Sequence, residues 1–506
     1  MNIYSQFLHI HTNAIQLSPT LHPYPLHVVH GPIYYNRSHY ILICLRKTQS
    51  ISCLLYKCKH MSYIVNIFGQ TKYFSYLCTK RNPDSSNSNN MQYNISAPKQ
   101  IDTTIALPAS KSISNRALII HALSGGDTLP DNLSDCDDTE VILHALKHRP
   151  QTVDIKAAGT AMRFLTAYFA ATPGEHTITG TERMKHRPIG PLVDALRYLG
   201  ADIEYLGEEG FPPLHIRGRQ LDGGHVEIPG NVSSQYISAL LMIGPALTNG
   251  LELKMTGEIV SRPYIDLTLW MMREFGADAD WSEMDTVTVN AKPYIKRPYT
   301  IESDWSAASY WYEMLALCGD EESSIRLTGL YDGSKQGDSV VKYIFSLLGI
   351  KTLFESKEEG RATTVTLKKV PCMLPRLDYD FISSPDLAQT VVVTCAMRDI
   401  PFRFTGLASL RIKETDRISA LKNELRKLGI TLTDENDDTL CWDGQRCEPS
   451  GPTFDTYEDH RMALSLAPAS LMAGDININN PEVVSKSYPH FWNDLRKAGF
   501  IINERP

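Results

Sequence analysis

The segment that decides the fold spans residues 413–430 and reads K-E-T-D-R-I-S-A-L-K-N-E-L-R-K-L-G-I. Its second half has the apolar spacing of an amphipathic helix, and Gly429 fits the left-handed position that follows a helix. Its first half places four charges and a hydroxyl directly before that helix. A helix N-terminus offers unpaired N–H groups and a partial positive charge, and added cations make it selective for phosphate and carboxylate groups. The segment therefore predicts both a structural repeat and a site for anionic groups.

The helix-glycine-strand pattern of this segment recurs through residues 91–506. Four copies close on Leu/Phe-Gly-Ala/Ile and a fifth closes on Ala498-Gly499; they span residues 188–201, 263–277, 338–350, 416–430 and 489–500. Their closing glycines are 70 to 80 residues apart, which suits a compact repeat of several strands with two helices rather than a solenoid. A sixth, degenerate copy is predicted at 135–146, before a strand at 153–156. The pattern predicts the α/β (α+β) class.

The distribution of charge restricts the kinds of partner. The 506 residues carry a net charge of −7. Residues 1–90 contain eight Lys or Arg and one Asp, so their net charge is +7 and that of residues 91–506 is −14. An acidic body argues against a nucleic-acid binder. If the protein binds anionic substrates, its positive charge must be concentrated in a cleft. The length exceeds what one core can hold and predicts two domains.

Residues 1–90 show no sustained periodicity and no basic start followed by an apolar run, as a secretory signal requires. We interpret them as a mis-assigned start, a non-native or disordered extension before Met91; a transit peptide is the alternative, because acidic residues are nearly missing. No 18-residue apolar run exists, so no membrane-spanning helix is predicted. None of the ten cysteines forms a C-x-x-C pair, which predicts no zinc site and no disulfides and favours a reduced, cytoplasmic compartment.

Further clusters place charged or small polar residues before helix-like apolar runs. They are S-K-S-I-S-N-R at 110–116, A-G-T-A-M-R at 158–163, E-R-M-K-H-R-P at 182–188, G-N-V-S-S-Q at 230–235, E-D-H-R at 458–461 and V-S-K-S-Y-P at 484–489. Each alone also fits an ordinary capped helix with solvated charges. Asp386 could be a general base or a helix cap. The neighbouring cations Lys413 and Arg417 favour the ionised form of Glu414, and burial or anionic ligands that draw on these cations would oppose that effect. Because cations recur at one end of each repeat, we expect these ends to share one face.

From Met91 onward the chain resembles the 5-enolpyruvylshikimate-3-phosphate synthase (3-phosphoshikimate 1-carboxyvinyltransferase) family. The motifs that carry the resemblance follow the family's order: S-K-S-I-S-N-R, A-G-T-A-M-R, H-R-P-I-G-P-L, S-S-Q, S-R-P-Y, K-E-T-D-R, D-H-R-M-A and S-K-S-Y-P. The resemblance implies two similar domains, each of three repeated α/β units, with the active site in the cleft between them. By resemblance, one domain spans 110–303 and the other spans 91–109 plus 304–506.

The resemblance implies a transferase of the shikimate pathway, which serves chorismate and aromatic amino acid biosynthesis. Such an enzyme moves the enolpyruvyl group of phosphoenolpyruvate to the 5-hydroxyl of shikimate 3-phosphate and releases phosphate, with no metal or organic cofactor. The implied partners are these two small molecules, without nucleic acid or membrane, and the implied state is a monomer.

Individual roles are carried over by the same resemblance. Asp386 is implied to accept the proton of the attacking hydroxyl, Glu414 to protonate the methylene carbon, and Lys111 to lie between the two substrates. The residues implied to bind shikimate 3-phosphate are Lys111, Ser112, Arg116, Ser233, Ser234, Gln235, Ser261, Tyr264, Asp386 and Lys413. The residues implied to bind phosphoenolpyruvate are Lys111, Gly159, Arg163, Arg187, Gln235, Arg417, Arg461 and Lys486.

Three residues depart from the family's pattern: Ala157 and Phe164 stand where Asn and Pro are common, and Ser409 stands where many members have an Asn that touches the shikimate phosphate. Two alternatives remain open. UDP-N-acetylglucosamine enolpyruvyl transferases resemble the family in fold and in one substrate, but they use a loop cysteine, and the only cysteine in 110–303 is Cys136 in an acidic context. The other alternative is an inactive anion-binding homologue, against which the retained Lys111 and other motif residues argue.

Overall fold

A computed structural model of the chain describes residues 28–35, 38–47, 50–58, 91–356 and 361–505. The chain divides into two compact units, residues 1–88 and residues 89–506. In the first unit, the described residues form a sheet of three antiparallel strands, Val28–Tyr35, Ser38–Lys47 and Ser50–Cys58. The interpretation of residues 1–90 as a mis-assigned start falls largely outside the described residues and stays a prediction.

The described residues of the second unit contain five four-stranded sheets. In hydrogen-bonded order their strands are Thr152–Asp154, Gly174–Thr179, Leu214–Gly218 and Asp202–Tyr205; Gly224–Pro229, Leu251–Thr256, Thr286–Val289 and Ala279–Trp281; Asp102–Ala106, Ser324–Tyr331, Ala362–Lys369 and Ile350–Phe354; Leu377–Asp380, Phe402–Thr405, Thr439–Trp442 and Thr433–Glu435; and Thr453–Phe454, Ile476–Asn479, Gln92–Ser96 and Ile501–Arg505. In every sheet the first two strands are parallel and the others pair antiparallel. One topology is therefore repeated five times.

Two helices accompany each of these sheets. The helix between the two parallel strands is Gly159–Ala170, Ser234–Ile243, Trp305–Leu317, Ala388–Met397 or His460–Leu466. The helix before the edge strand is Gly190–Tyr198, Arg262–Glu274, Val341–Leu347, Arg417–Lys427 or Phe491–Lys497. The second set coincides with the five helices that the glycine pattern predicts, so the predicted repeat and the α/β class are confirmed.

Apart from two longer helices in residues 111–148, the remaining helical segments of the second unit are short, and they lie in the connections between the repeated elements. Two are α-helical turns, Glu182–Lys185 and Ser470–Ala473. The others are 3-10 helices at Gly244–Ala246, Gly337–Val340, Pro385–Leu387, Ala408–Ile412, Ala467–Ala469 and Pro481–Lys486. No helix among the described residues is long and apolar enough to cross a membrane.

The sixth copy, degenerate in sequence, is also incomplete in structure. It consists of the helices Lys111–Leu123 and Asp137–His148. Within the described stretch 91–303 its backbone pairs through isolated bridges, Ala109 with Ser303 and Asp131 with Thr300, in place of a full sheet.

The helix Arg417–Lys427 shows how the opening segment specifies its own structure. The side chain of Asp416 caps the helix by accepting the N–H of Ser419 at 3.1 Å, which satisfies one of the unpaired N–H groups of the first turn. Ile418, Leu421 and Leu425 lie on one face of the helix and are buried. Burial of each such side chain stabilises the fold by about 1.5–3 kcal/mol.

The buried apolar residues of the second unit form two separate cores. One core draws its residues from Ala109 through Ile301. The other draws on Ile95 through Leu107 and on Trp305 through Phe500. The early strand Gln92–Ser96 belongs with the second core because it pairs with Ile476–Asn479 and Ile501–Arg505. We propose that residues 110–303 form one domain and that residues 91–109 with 304–506 form the other, and the division of the cores supports this proposal.

Candidate active site

A cavity of about 550 Å³ is lined by residues that flank both cores. Five of them, Lys111, Gly159, Ser234, Arg417 and His460, are the first residues of their α-helices. Helix starts from different repeats therefore meet at one cavity. The predicted site residues that line it are Lys111, Ser112, Arg116, Gly159, Arg163, Arg187, Ser233, Ser234, Gln235, Ser261, Tyr264, Asp386, Lys413, Glu414, Arg417 and Arg461. Lys486 lies just behind this lining, with its Nζ 3.1 Å from Oε1 of Glu414.

Asp386 is surrounded by three cations. Its carboxylate lies 2.8 Å from Arg461, 3.3 Å from Arg417 and 3.7 Å from Nζ of Lys413. Burial opposes its ionisation, but these cations, Arg461 foremost, hold the pKa of Asp386 well below its usual range. Asp386 lies inside the 3-10 helix Pro385–Leu387, after the N-cap residue Ser384, and its carboxylate faces the cations. An ionised carboxylate in this position can accept a proton from a bound hydroxyl.

Glu414 has a second set of cations around it. Its carboxylate lies 3.0 Å from Arg417, 3.1 Å from Nζ of Lys486 and 3.5 Å from Arg187. Burial would raise the pKa of Glu414, but Lys486, Arg187 and Arg417 together hold it well below its usual range. Nζ of Lys486 also donates to the backbone carbonyl of Ala157 at 2.6 Å. The carboxylate is therefore ionised as long as these cations remain its partners.

Arg417 links the two carboxylates. Its guanidinium group contacts Asp386 and Glu414, and it donates two hydrogen bonds, of 2.7 and 3.2 Å, to the carboxylate of Asp459. The side chain of Arg417 is 1% exposed and that of Asp459 is fully buried. Asp459 also accepts the backbone N–H of Arg461 at 3.0 Å, so one buried carboxylate orients two predicted ligand cations.

Lys111 presents a positive charge to the cavity and His460 presents a neutral ring. Burial would lower the pKa of Lys111, but the carboxylate of Asp138, 3.3 Å from its Nζ, outweighs burial and raises it. Burial and the cations Lys111 and Arg461 hold the pKa of His460 well below its ordinary value. His460 lines the cavity as a neutral ring whose nitrogens make no hydrogen bond to the described residues. A bound ligand could use these nitrogens.

Gly159 allows two guanidinium groups to approach the helix start. A Cβ atom at this position would lie 2.6 Å from Arg163 and 2.7 Å from Arg187, closer than side-chain atoms approach one another. Arg163 donates to the carbonyls of Gly159 at 2.9 Å and Pro188 at 3.1 Å. The buried Nε atoms of Arg163 and Arg187 make no hydrogen bond to the described residues. This corner of the cavity therefore holds two cations with unused donors.

Arg116, which also lines the cavity, is already bonded to the protein. Its guanidinium group donates to the hydroxyls of Thr268 at 2.7 Å and Ser238 at 3.1 Å and to the carbonyls of Ser112 at 2.9 Å and Tyr264 at 3.3 Å. Burial lowers the pKa of Arg116 to about 10. These bonds use four of the five guanidinium N–H groups, so Arg116 could bind a carboxylate through two hydrogen bonds only by exchanging some of them.

The polar residues beside Arg116 come from the predicted S-S-Q and S-R-P-Y motifs. Gln235 donates to the hydroxyl of Thr160 at 3.0 Å, and Ser233 caps the helix Ser234–Ile243. The N–H of Ser261 donates to the carbonyl of Ile382 at 2.9 Å, and the hydroxyl of Tyr264 donates to Asp338 at 2.9 Å. The last two contacts join residues that pack beside different cores.

Four polar residues at the site were not singled out from the sequence. Asp138 pairs with Lys111, Asp459 pairs with Arg417, and Tyr310 accepts a hydrogen bond from Arg461 at 3.2 Å. Burial and the neighbouring Asp386 raise the pKa of Asp338 to about 6. The sequence signal for Asp459 was only its place in the E-D-H-R cluster beside Arg461, and Asp138 had no such neighbour. Among the described residues, no group of three or more His, Cys, Asp or Glu side chains is arranged to hold a metal ion.

The three departures from the family's pattern lie in different surroundings. Ala157 is exposed and offers its carbonyl to Lys486. Phe164 is fully buried in the first core, with the guanidinium carbon of Arg116 5.4 Å from its ring centroid. Ser409 lines the cavity.

A cavity with many cations and two partly buried carboxylates defines a protein that binds small molecules with several anionic groups. The family described as EPSP synthase (3-phosphoshikimate 1-carboxyvinyltransferase) matches residues 95–149 and 148–495. A 3-phosphoshikimate 1-carboxyvinyltransferase from Bacteroides fragilis is 60% identical over 413 residues, which cover 81% of this chain and 99% of the relative. One from Shewanella halifaxensis is 36% identical over 425 residues, 78% of this chain and 97% of that relative. The chain belongs to the EPSP synthase family.

Solved structures share the architecture. An EPSP synthase from Acinetobacter baumannii superposes with a TM-score of 0.67 at 22% identity, covering 82% of this chain and 100% of that one. The enolpyruvyl transferase NikO from Streptomyces tendae superposes with a TM-score of 0.64 at 15% identity, with the same coverage of 82% and 100%. At these identities the likeness concerns the fold, and it confirms the predicted fold class.

Proposed function

We propose that the cavity binds phosphoenolpyruvate and shikimate 3-phosphate side by side, and that the transfer reaction of the family takes place there. The chain is a 3-phosphoshikimate 1-carboxyvinyltransferase of the shikimate pathway: it moves the enolpyruvyl group to the 5-hydroxyl of shikimate 3-phosphate and releases phosphate. One observation carries the proposal for the site. Both carboxylates with predicted catalytic roles, Asp386 and Glu414, lie in one cavity among cations drawn from several repeats.

The positive side chains of the cavity reduce the electrostatic repulsion between the two anionic substrates. Each substrate carries a phosphate and a carboxylate, so the two repel each other in water. Fixed cations in an enclosed cavity neutralise that repulsion, and the loss of water strengthens each contact. Gly159, Arg163, Arg187, Arg417 and Lys486 supply donors at one end, where we place phosphoenolpyruvate. Gln235 and the positive Lys111 lie where both substrates can reach them, and Arg461 completes the phosphoenolpyruvate set.

The opposite end suits shikimate 3-phosphate. Ser233 and Ser234 offer hydroxyls at a helix start, where phosphate is favoured. Lys413 adds a cation beside Asp386. Ser112, Arg116, Ser261 and Tyr264 complete the predicted set, and all of them line the cavity.

The two carboxylates have environments that suit opposite proton transfers. Asp386 is ionised, but the cations around it make it a weak base; anionic groups of the substrates that draw on Arg461, Arg417 and Lys413 would raise its pKa, so that it can accept the proton of the 5-hydroxyl. Glu414 is ionised while Lys486, Arg187 and Arg417 are its partners. Anionic groups of phosphoenolpyruvate that draw on these same cations would raise the pKa of Glu414, so the acid that protonates the methylene carbon is formed when its substrate binds.

The experiment that tests the proposal is phosphate release by the purified protein with both substrates and with each alone. Lys111→Ala should lower kcat/KM by roughly 10- to 150-fold, since a charge-assisted contact is worth about 1.5–3 kcal/mol. Lys351→Ala, on an exposed strand position outside the cavity, is the matched control. No release by the unaltered protein would refute the function, and normal turnover by Lys111→Ala alone would refute the site.

An assay with UDP-N-acetylglucosamine as the acceptor of the enolpyruvyl group distinguishes this function from the alternative enolpyruvyl transferase. The enzymes that use UDP-N-acetylglucosamine act through a loop cysteine, whereas Cys136 is buried, contacts Thr139 at 3.4 Å and lies outside the cavity lining. We expect phosphate release with shikimate 3-phosphate and none with UDP-N-acetylglucosamine. We further propose that the enzyme works as a monomer in the cytoplasm with no macromolecular partner, which sedimentation and fractionation experiments can test.

A further inference from the structure

Two successive residues before the D-H-R-M-A motif adopt a left-handed backbone conformation although neither is glycine. Tyr457 has a φ of 55° and Glu458 a φ of 56°. Side chains with a Cβ atom disfavour this region, and those that adopt it normally do so singly. Such strain persists only where surrounding contacts impose it, and it is concentrated at functional sites.

The strained pair sets the direction of the segment that enters the cavity. Asp459 follows it and caps the helix His460–Leu466 by accepting the N–H of Arg461 at 3.0 Å. The same carboxylate accepts two hydrogen bonds from Arg417. A change in the turn would therefore move the carboxylate that orients both arginines.

Glu424 holds the turn from the other side. Its fully buried carboxylate accepts the hydroxyl of Tyr457 at 2.6 Å, the N–H of Asp455 at 2.9 Å and Nζ of Lys427 at 2.7 Å. Glu424 lies seven residues after Arg417 in the same helix, hence two turns along the same face. One face of this helix thus holds the segment 455–459 at two points. Glu424 binds Asp455 and Tyr457 near the beginning of the segment, and Arg417 binds Asp459 at its end.

We propose that Glu424 and Tyr457 are positioning residues of the transfer reaction: their hydrogen bond holds the left-handed turn and thereby aims Arg417 and Arg461 at phosphoenolpyruvate. The proposal rests on the proposed roles of these two arginines. Neither Glu424 nor Tyr457 lines the cavity, so they act at a distance, through the turn and the carboxylate of Asp459.

The test removes the hydroxyl and keeps the ring. Tyr457→Phe should lower kcat/KM for phosphoenolpyruvate about tenfold at 25 °C, where melting curves show it folded. It should change KM for shikimate 3-phosphate less, because Ser233 and Ser234 lie at the start of a helix in another repeat. Tyr198→Phe, at a tyrosine that is 75% exposed, is the matched control. Glu424→Gln should act in the same direction and serves if Tyr457→Phe does not fold.

Rescue distinguishes positioning from simple stabilisation. The side chain of Glu458 is exposed, so its replacement changes mainly the backbone preference at this position, and asparagine tolerates the left-handed region better than alanine does. In the Tyr457→Phe background, Glu458→Asn should recover most of the lost kcat/KM and Glu458→Ala should not, although both remove the same charge. A lower melting temperature with unaltered kcat/KM, or equal rescue by both, would overturn the proposal. Normal activity of an Arg417 variant would instead overturn the proposed function.

Discussion

Replacing Arg417 by alanine should damage the fold as well as the reaction. Its guanidinium group is 1% exposed and pairs with the fully buried Asp459, while Glu414 and Asp386 lie 3.0 and 3.3 Å away. Loss of one partner of a buried ion pair leaves the other charge unpaired and costs about 3–5 kcal/mol. Glu414 and Asp386 keep other cations, so Asp459 accounts for most of the loss. A domain's unfolding free energy is roughly 5–15 kcal/mol, so this loss is a large part of it.

Urea unfolding, followed by circular dichroism and tryptophan fluorescence, measures this effect directly. The midpoint for Arg417→Ala should fall far below that of the unaltered protein. Arg403→Ala is the matched control, because Arg403 pairs with Glu435 at 3.0 Å on the surface, where ion pairs contribute little. Its midpoint should barely move.

A second substitution identifies the source of the loss. If the unpaired charge of Asp459 is responsible, adding Asp459→Asn to Arg417→Ala should recover part of the unfolding free energy while activity stays low. Equal midpoints for Arg417→Ala and Arg403→Ala would refute the reasoning. So would a double variant that is less stable than Arg417→Ala.

Three other outcomes are expected. Glu414→Gln should lower kcat by roughly 10²–10⁴-fold without raising KM for phosphoenolpyruvate, because the amide keeps the shape, donates no acid proton and competes less for cations; a higher KM at unchanged kcat would contradict this. Burial and Asp386 raise the pKa of Asp338 from 3.8 to about 6, so the folded protein holds this proton more tightly than the unfolded chain and stability falls as the pH rises from about 4 to about 6. Asp338→Asn should remove that part of the fall in melting temperature, and an unchanged profile would count against it. A chain that begins at Met91 keeps the central strand Gln92–Ser96 and should fold and turn over normally, whereas one that begins at Lys99 should lose its last sheet; equal solubility and activity of the two would disprove the argument.

The predicted helices were the most reliable part of the fold because their signals are local. Gly429 and Gly499 have φ values of 83° and 96°, as expected for residues that end a helix, and the apolar spacing lies within one or two turns. The pairing of Gln92–Ser96 with strands near the C-terminus had no such signal. It is decided by contacts between residues almost 400 positions apart, which no short pattern encodes.

The candidate site divides in the same way. The sequence by itself determined which cations and carboxylates stand at helix starts, and the resemblance assigned them roles, because motif order and capping are properties of the chain. It predicted that Arg417 keeps Glu414 ionised and, by resemblance, binds phosphoenolpyruvate. Only the tertiary structure decided that Arg417 is buried against Asp459, that three cations surround Asp386 and three surround Glu414, and that Asp138 pairs with Lys111. The physical reason is that charge pairing and burial depend on distances of 3–4 Å between elements, and those distances exist only after the repeats have packed.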